Sequence, residues 1–232
     1  MRRGRLERIR RAYDLTLRQH EEGIDPLSVV PEDFKNSPEF QALMRDSTPE
    51  TTGSGNPAIR EFLDPRPGMN CLDVGCCANL ANHGFGGWPS LYFGVDISPE
   101  LIKAMREFAA RKKIAVGGLE VAEAAALPFA GDCFDIAMAV GVLEYTDFAY
   151  AGRALAELGR VLKSGARVVL DIPNMGHAHA PAMLRLEEYL KRPAFPHRRP
   201  EFESRLARHF IVEKIDDRRV MVMYFLRRKG RE

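Results

Sequence analysis

The sequence predicts an α/β fold: a seven-stranded, mostly parallel sheet with helices on both faces and a C-terminal antiparallel hairpin. Three observations carry this. From residue 58 onward short apolar runs alternate with helical patterns, the order expected of crossover units on a parallel sheet. One of these runs, "ARVVLDIPN", is apolar enough to be covered on both faces. The chain then closes with two strand-like runs separated only by "DDR", a hairpin and not another crossover.

Taken in order, Leu6, Ile9, Tyr13 and Leu17 recur at helical spacing, so residues 5–20 should form an amphipathic helix with arginines outward, ending near Gly23. Residues 24–57 are rich in Pro, Ser, Thr, Asp and Glu and are expected to run irregularly over the core, with only "EFQALMR" helical and "TTGSGNP" at 51–57 a flexible loop. This divides the chain into an N-terminal helix and cap, 1–57, and a main domain, 58–232. "NCLDV" reads as the first strand and "SLYFGVDI" as the second. "HGFGGWPS" between them holds too much glycine and proline for a full helix, so one or two turns are expected there.

Ser98 is a good N-cap with Pro99 at the first helical position, and Leu101, Ile102, Met105 and Phe108 form a buried face up to Lys112. "GLEVA" and "FDIAMAV" are the third and fourth strands. "GRALAELGRVLKSG" is a helix with Leu155, Leu158 and Leu162 inward, expected to close at Gly165 before the fifth strand. "PAMLRLEEYLKR" and "PEFESRLARH" read as helices around the proline-rich "PAFPHRRP", and "FIVEKIDD" with "RVMVMYFLRR" form the hairpin.

Lys and Arg number 34 against 32 Asp and Glu, and a net charge of +2 gives no strong field for capturing nucleic acid or an anionic membrane. No run approaches the roughly 20 apolar residues of a membrane span, and no apolar signal-peptide core follows the start, so a cytoplasmic protein is expected. Cys71, Cys76, Cys77 and Cys133 match neither a zinc spacing nor a disulfide framework, so reduced thiols and no metal are expected.

Four stretches, "LDVGCCAN", "FGVDIS", "ALPFAGDCFDIAMAVGVLEY" and "ELGRVLKSGARVVLDIPN", occur in an order that resembles the class I S-adenosylmethionine-dependent methyltransferases over roughly residues 58–228. The resemblance implies a Rossmann-like sheet, S-adenosyl-L-methionine as cofactor and a small-molecule acceptor. In open α/β sheets ligands sit beyond the carboxyl ends of the strands, where such residues converge. By resemblance the Gly75 loop would follow the methionine part of the cofactor, with Asp73 linked to its ammonium through water. Asp96, with Ile97 beside it, would accept hydrogen bonds from ribose hydroxyls. Glu123 and Ala124 would meet the adenine amino group and Val140 the methionine end.

The residues following strands four and five, Glu144, Tyr145, Asn174, His177 and His179, are candidates for the acceptor side. Glu144, Tyr145 and His177 are the candidate bases, the imidazole because it titrates near neutrality. Residues 175–208 are expected to act as a mobile acceptor-side lid that closes together with the N-terminal helix.

Simpler readings stand beside these: Asp73 bonding only loop amides, Asp96 only capping a helix, Glu123 merely solvated, and the two histidines exposed loop residues. Cys77 occupies a place where glycine is usual, so it should narrow the pocket or shift the loop, whereas Asn79 tolerates a left-handed backbone. A working, modified site is expected. The rival of another class is a catalytically silent cofactor-binding or scaffold protein. A nucleic-acid methyltransferase would need an "NPPY"-type stretch that is absent, and a nicotinamide oxidoreductase would need G-x-G-x-x-G.

Overall fold

The computed structural model describes residues 2–48, 54–192 and 194–230. Its sheet has seven strands in the order β3-β2-β1-β4-β5-β7-β6, comprising β1 (Asn70–Val74), β2 (Leu91–Asp96), β3 (Val116–Val121), β4 (Phe134–Ala139), β5 (Leu162–Pro173), β6 (Phe210–Asp216) and β7 (Met221–Arg228). The first five pair in parallel, while β7 runs antiparallel to both β5 and β6. The expected hairpin therefore inserts its second strand next to β5 and leaves β6 at the edge.

Side chains along each central strand alternate between two cores, as the two-residue period of a strand requires. Leu72, Val168, Leu170 and Tyr224 join the helices α7 (Phe148–Val161) and α9 (Arg199–Leu206) on one face. Cys71, Met138, Val169 and Phe225 join α4 (Pro57–Leu63) and α6 (Pro99–Lys112) on the other. Both faces of β5 are thus covered, which explains its near-continuous apolar sequence.

Helix ends follow local chemistry. Ser98 Oγ accepts the Leu101 amide at 3.0 Å ahead of Pro99, and Lys113 closes α6 in the left-handed region at φ 55°. Asp147 Oδ1 caps α7 by accepting from the Tyr150 amide at 2.8 Å. Gly165 does not close α7, contrary to expectation: the helix stops at Val161 and Leu162 is already extended. Phe134 pairs with Leu162 but Ile136 with Arg167, so β5 bulges between them, and Gly165 takes φ 77° there. A glycine close behind a helix was read as its cap when it serves an irregularity of the next strand.

The cap also differs from expectation. α1 (Arg2–Glu21) is followed by a 3-10 turn (Pro26–Val29), α2 (Glu32–Lys35) and α3 (Pro38–Asp46), so residues 24–48 are largely ordered turns. Phe34, Phe40 and Leu43 form a third apolar cluster with Ala182 and Met183 of α8 (Ala180–Tyr189). Of the loop expected at 51–57, residues 51–53 lie outside the described residues, and Asn56 caps α4 by accepting from the Ala58 amide. The stretch read as one lid divides in two. α8 packs on the cap, whereas α9 buries Phe202 and Leu206 completely in the main core.

Candidate functional site

In the strand order, β1 is flanked by β2 on one side and β4 on the other, so the connections leave in opposite directions and open a crevice at the carboxyl ends. A cavity of about 270 Å³ occupies it. Its floor is the loop after β1. Gly75 has φ 71°, and a Cβ there would lie 2.3 Å from Val142 Cγ2, so conformation and space both demand glycine. The Gly75 and Cys76 amides donate to Val95 O at 2.7 and 2.9 Å, tying the loop to the end of β2.

Cys77 answers the question raised by its position. It adopts φ 41°, the conformation in which glycine is at ease, and its amide donates to Asp96 Oδ2 at 2.9 Å. The cysteine itself takes up the left-handed conformation, and its side chain joins the cavity wall. Cys76 points the other way into the core, where its sulfur would lie 2.9 Å from a Cβ on Gly94. The sulfur and the missing side chain are complementary, so the first cysteine of the pair is a packing residue. Asn79, expected to tolerate a left-handed backbone, instead begins the one-turn helix α5 (Asn79–Asn82), and its amide donates to Asp73 Oδ2 and Ser54 Oγ at 3.1 Å each.

Asp96 is held by two backbone amides, with Oδ1 accepting from Ser98 at 2.9 Å and Oδ2 from Cys77, yet it still lines the cavity. Each carboxylate oxygen retains a lone pair for a ligand hydroxyl. Ile97 and Ala124 line the cavity beside it, and Val140 lines it beyond β4. Glu123 is exposed and borders a separate outer recess with Glu7 and Arg10.

Asp73 is buried behind the cavity wall. Its Oδ2 takes Tyr92 Oη–H at 2.7 Å as well as Asn79, while Oδ1 has no partner among the described residues. Burial pushes its carboxyl up to about 7. A cationic group in front of Asn79 would supply the missing counter-charge.

On the β4 side, Tyr145 lines the cavity from a 3-10 turn (Leu143–Tyr145), but Glu144 is buried and does not line it. Glu144 is 6 % exposed with Oε2 unpartnered, and burial raises its pKa well above the ordinary range, the nearby Asp171 adding to the effect. Asp171 itself is buried on β5 and accepts from the Gly141 amide at 2.9 Å, with burial pushing its carboxyl up to about 7. His177 does not line this cavity. Its Nδ1 accepts from the His179 amide at 3.2 Å, and His179 Nε2 bonds Asp46 Oδ2 of α3 at 2.9 Å. Asn174 is likewise engaged elsewhere, donating to Asp217 O and Arg219 O at the turn of the hairpin.

Several lining residues escaped the sequence reading individually. Leu6, Ile9 and Tyr13 of α1 roof the cavity, and Tyr150 of α7 lines it. The α1 spacing announced a buried stripe without naming its partner. Asp171 had a signal, an acidic residue inside an apolar run, and Glu187 and Arg192, which bond behind Tyr145, had none. Among the described residues no group of three His, Cys, Asp or Glu side chains is arranged to hold a metal, and no helix is long and apolar enough to cross a membrane.

The residues present fit an adenosyl sulfonium cofactor. Asp96 suits ribose hydroxyls, the alanine wall suits an adenine face, and the unpartnered Asp73 oxygen behind Asn79 suits an ammonium group.

Residues 72–170 match the family model described as methyltransferase domain. A curated protein of Streptomyces fradiae, described as an uncharacterized 37.1 kDa protein in a transposon, is 29 % identical over 139 residues, covering 59 % of this chain and 39 % of that protein. The chain thus spans about two fifths of the length of that relative. Among solved structures, a Pyrococcus horikoshii OT3 protein aligns with a TM-score of 0.64 at 17 % identity, over 90 % of this chain and 99 % of the other. A Methanosarcina mazei SAM-dependent methyltransferase aligns at 0.59 and 21 %, over 76 % of this chain and 98 % of the other. Geranyl diphosphate C-methyltransferase of Streptomyces coelicolor A3(2), solved with S-adenosyl-L-homocysteine, aligns at 0.60 and 15 %, over 74 % and 77 %. At these identities the structural likeness speaks for the fold.

Proposed function

We propose that the chain, whose residues 72–170 match a methyltransferase-domain model, is a class I S-adenosylmethionine-dependent methyltransferase that transfers a methyl group from S-adenosyl-L-methionine to a small organic acceptor by in-line displacement. One observation carries this reading: Asp96, fixed by the Cys77 and Ser98 amides, faces the cavity at the point where the strand order reverses. Asp96 and Ile97 would hold the ribose, Ala122 and Ala124 the adenine, and the Gly75–Cys77 loop with Val140 the methionine portion. Asp73 would face the ammonium through Asn79. Glu123 would reach the adenine amine only from the outer recess, around Leu6, which borders both spaces. The bound cofactor supplies an electrophilic methyl group, so the protein's tasks are alignment and removal of the acceptor's proton.

Of the three candidate bases the geometry favours Tyr145, which lines the cavity and accepts the hydroxyl of its neighbour Tyr13, over Glu144, which does not line it. His177 would take part only after a shift of the 175–192 stretch. The cavity, about 270 Å³, falls just below the roughly 300 to 1,000 Å³ usual for ligand sites. In this reading α1 lifts to admit cofactor and acceptor together. It is latched at the start of α6, where Ser98 Oγ donates to the buried Asp14 and Arg18 pairs with Glu100 at 2.6 Å. Residues 2–48 and α8 then act together as the movable cover.

Calorimetric titration with S-adenosylmethionine, S-adenosylhomocysteine and NAD tests the reading. Both adenosyl compounds should bind and NAD should not. Silence toward all three would return the protein to the rival class, a fold kept as a scaffold.

A further inference from the structure

Behind the cavity wall lies a buried chain of hydroxyls that cofactor binding does not explain. Tyr13 of α1 and Tyr145 both line the cavity, and Glu187 of α8 sits behind them with its side chain 13 % exposed. An ionised carboxylate only accepts. Glu187 Oε2 takes Arg192 Nε–H at 2.7 Å and the Tyr145 hydroxyl at 3.2 Å. With its proton committed there, Tyr145 Oη receives the Tyr13 hydroxyl at 3.0 Å. The polarity runs one way, Tyr13 to Tyr145 to Glu187, and leaves phenolic lone pairs as acceptors for a ligand.

The charges narrow the ligand. Among the described residues, the cavity lining contains Asp96 but no lysine or arginine. Burial depresses the pKa of His83 in the wall, which favours its neutral form. Arg192 is engaged with Glu187, its guanidinium 5.0 Å from the Tyr13 ring centroid. An anionic acceptor would meet no free counter-charge.

We propose that the site accepts an uncharged hydroxyl compound, a phenol or alcohol, whose O–H donates to this tyrosine pair, and that Glu187 is the destination of its proton. This rests on the methyltransferase reading above. In balance, bond formation from the acceptor oxygen to the methyl carbon breaks the carbon–sulfur bond, whose electron pair stays on sulfur. The acceptor proton passes to Tyr13, the Tyr13 proton to Tyr145 and the Tyr145 proton to Glu187, which ends as a carboxylic acid. Burial raises the pKa of both phenols, so a relay that leaves each neutral at the end avoids the unfavourable phenolate. The chain is complete only while α1 is seated, which couples proton exit to closure over the acceptor.

The test uses the full chain saturated with S-adenosylhomocysteine and three probes: 2-naphthol, its methyl ether 2-methoxynaphthalene, and 2-naphthoate. Calorimetry should give 2-naphthol about tenfold tighter binding than either of the others, the value of one directed hydrogen bond. The near-isosteric Glu187→Gln can donate to Tyr145 and so removes the enforced polarity. It should bring naphthol and ether within about twofold while S-adenosylhomocysteine affinity stays the same. Equal or inverted preference in the wild type, or a preference kept in the variant, overturns the recognition. Failure of S-adenosylhomocysteine itself to bind would instead remove the methyltransferase reading.

With S-adenosylmethionine, methylation of 2-naphthol should rise with pH as Glu187 ionises. The groups around that carboxyl are Tyr145 and Glu144 of the 3-10 turn, Tyr13 of α1 and Arg192. Glu187→Gln should lower the rate about 10²-fold or more and abolish the pH step. No transfer in the wild type, or the same profile in the variant, overturns the proton-exit role.

Discussion

Replacing Cys77 by glycine and, separately, by alanine gives a sign that ordinary positions do not. At a backbone with negative φ, glycine is less stable than alanine by about 0.4 to 1 kcal/mol, because its unfolded chain has more freedom to lose. Cys77 sits at φ 41°, where a residue with a Cβ is disfavoured by about 1 to 2 kcal/mol. Glycine escapes that penalty and alanine does not, so the difference inverts: Cys77→Gly should exceed Cys77→Ala by about 0.5 to 1 kcal/mol, which is roughly 1 to 4 °C in Tm for a chain of this size. The thiol carries no charge to lose near neutrality, since burial pushes its pKa up to about 11. The Asp96–Cys77 contact is made by the main chain and survives both changes. S-adenosylhomocysteine should accordingly bind the glycine variant at least as tightly as the wild type. Thermal unfolding and calorimetry of the two variants are the assays. If alanine proves as stable as glycine, the left-handed conformation is wrong. A tenfold loss of cofactor affinity in the glycine variant would show that the thiol itself belongs to the binding chemistry.

Gly75→Ala is expected to do the reverse, destabilising by about 2 to 5 kcal/mol in urea unfolding, because a left-handed penalty and a collision with Val142 add. Asp96→Ala should weaken S-adenosylhomocysteine binding by about 1 to 3 kcal/mol in a protein that remains folded; equal affinity in calorimetry would refute its role at the ribose. Asp171 has a folded pKa raised to about 7, above its unfolded value, so the native state holds the extra proton and stability falls as pH rises from about 4 to 7. Asp171→Asn keeps an acceptor for the Gly141 amide and should flatten part of that decline, the buried Asp73, Asp96, Glu144 and Glu187, whose pKa values are raised in the same direction, contributing to the rest; denaturation midpoints across that window check it, and an unchanged slope would show that Asp171 is ionised throughout.

Most of the sheet was legible because its signals are local. The apolar run of β1, the Ser98–Pro99 start of α6 and the hairpin at the end each follow from neighbours within a few residues. The misreadings share a different cause. Gly165 and Asn79 have clear local preferences, yet the structure engages each with a partner outside its own turn: the distant β4 at the bulge for Gly165, and Asp73, six residues before it, with the more distant Ser54 for the asparagine amide. The ordered cap was illegible for the same reason, since its short turns are stabilised by burying Phe34, Phe40 and Leu43 against α8, about which residues 24–48 carry no information.

The candidate site divides along the same line. Its Asp96 side was legible because strand order alone brings residues 75, 96 and 124 together, whatever the loops do. The opposite wall is assembled from α1, the 3-10 turn after β4, and α8, three elements that meet only through side-chain contacts such as Tyr13–Tyr145 and Tyr145–Glu187. No periodicity encodes such a meeting. A histidine pair in a loop therefore looked more chemical than a tyrosine on an amphipathic helix, although His179 is bonded to Asp46 and its amide occupies His177 Nδ1. The part of the molecule proposed to hold the cofactor is written in the sheet. The part that would select an acceptor lies in how the two ends of the chain fold over it, and single substitutions at Tyr13 or Glu187 should therefore alter acceptor choice while leaving the Asp96 side of the cavity as it is.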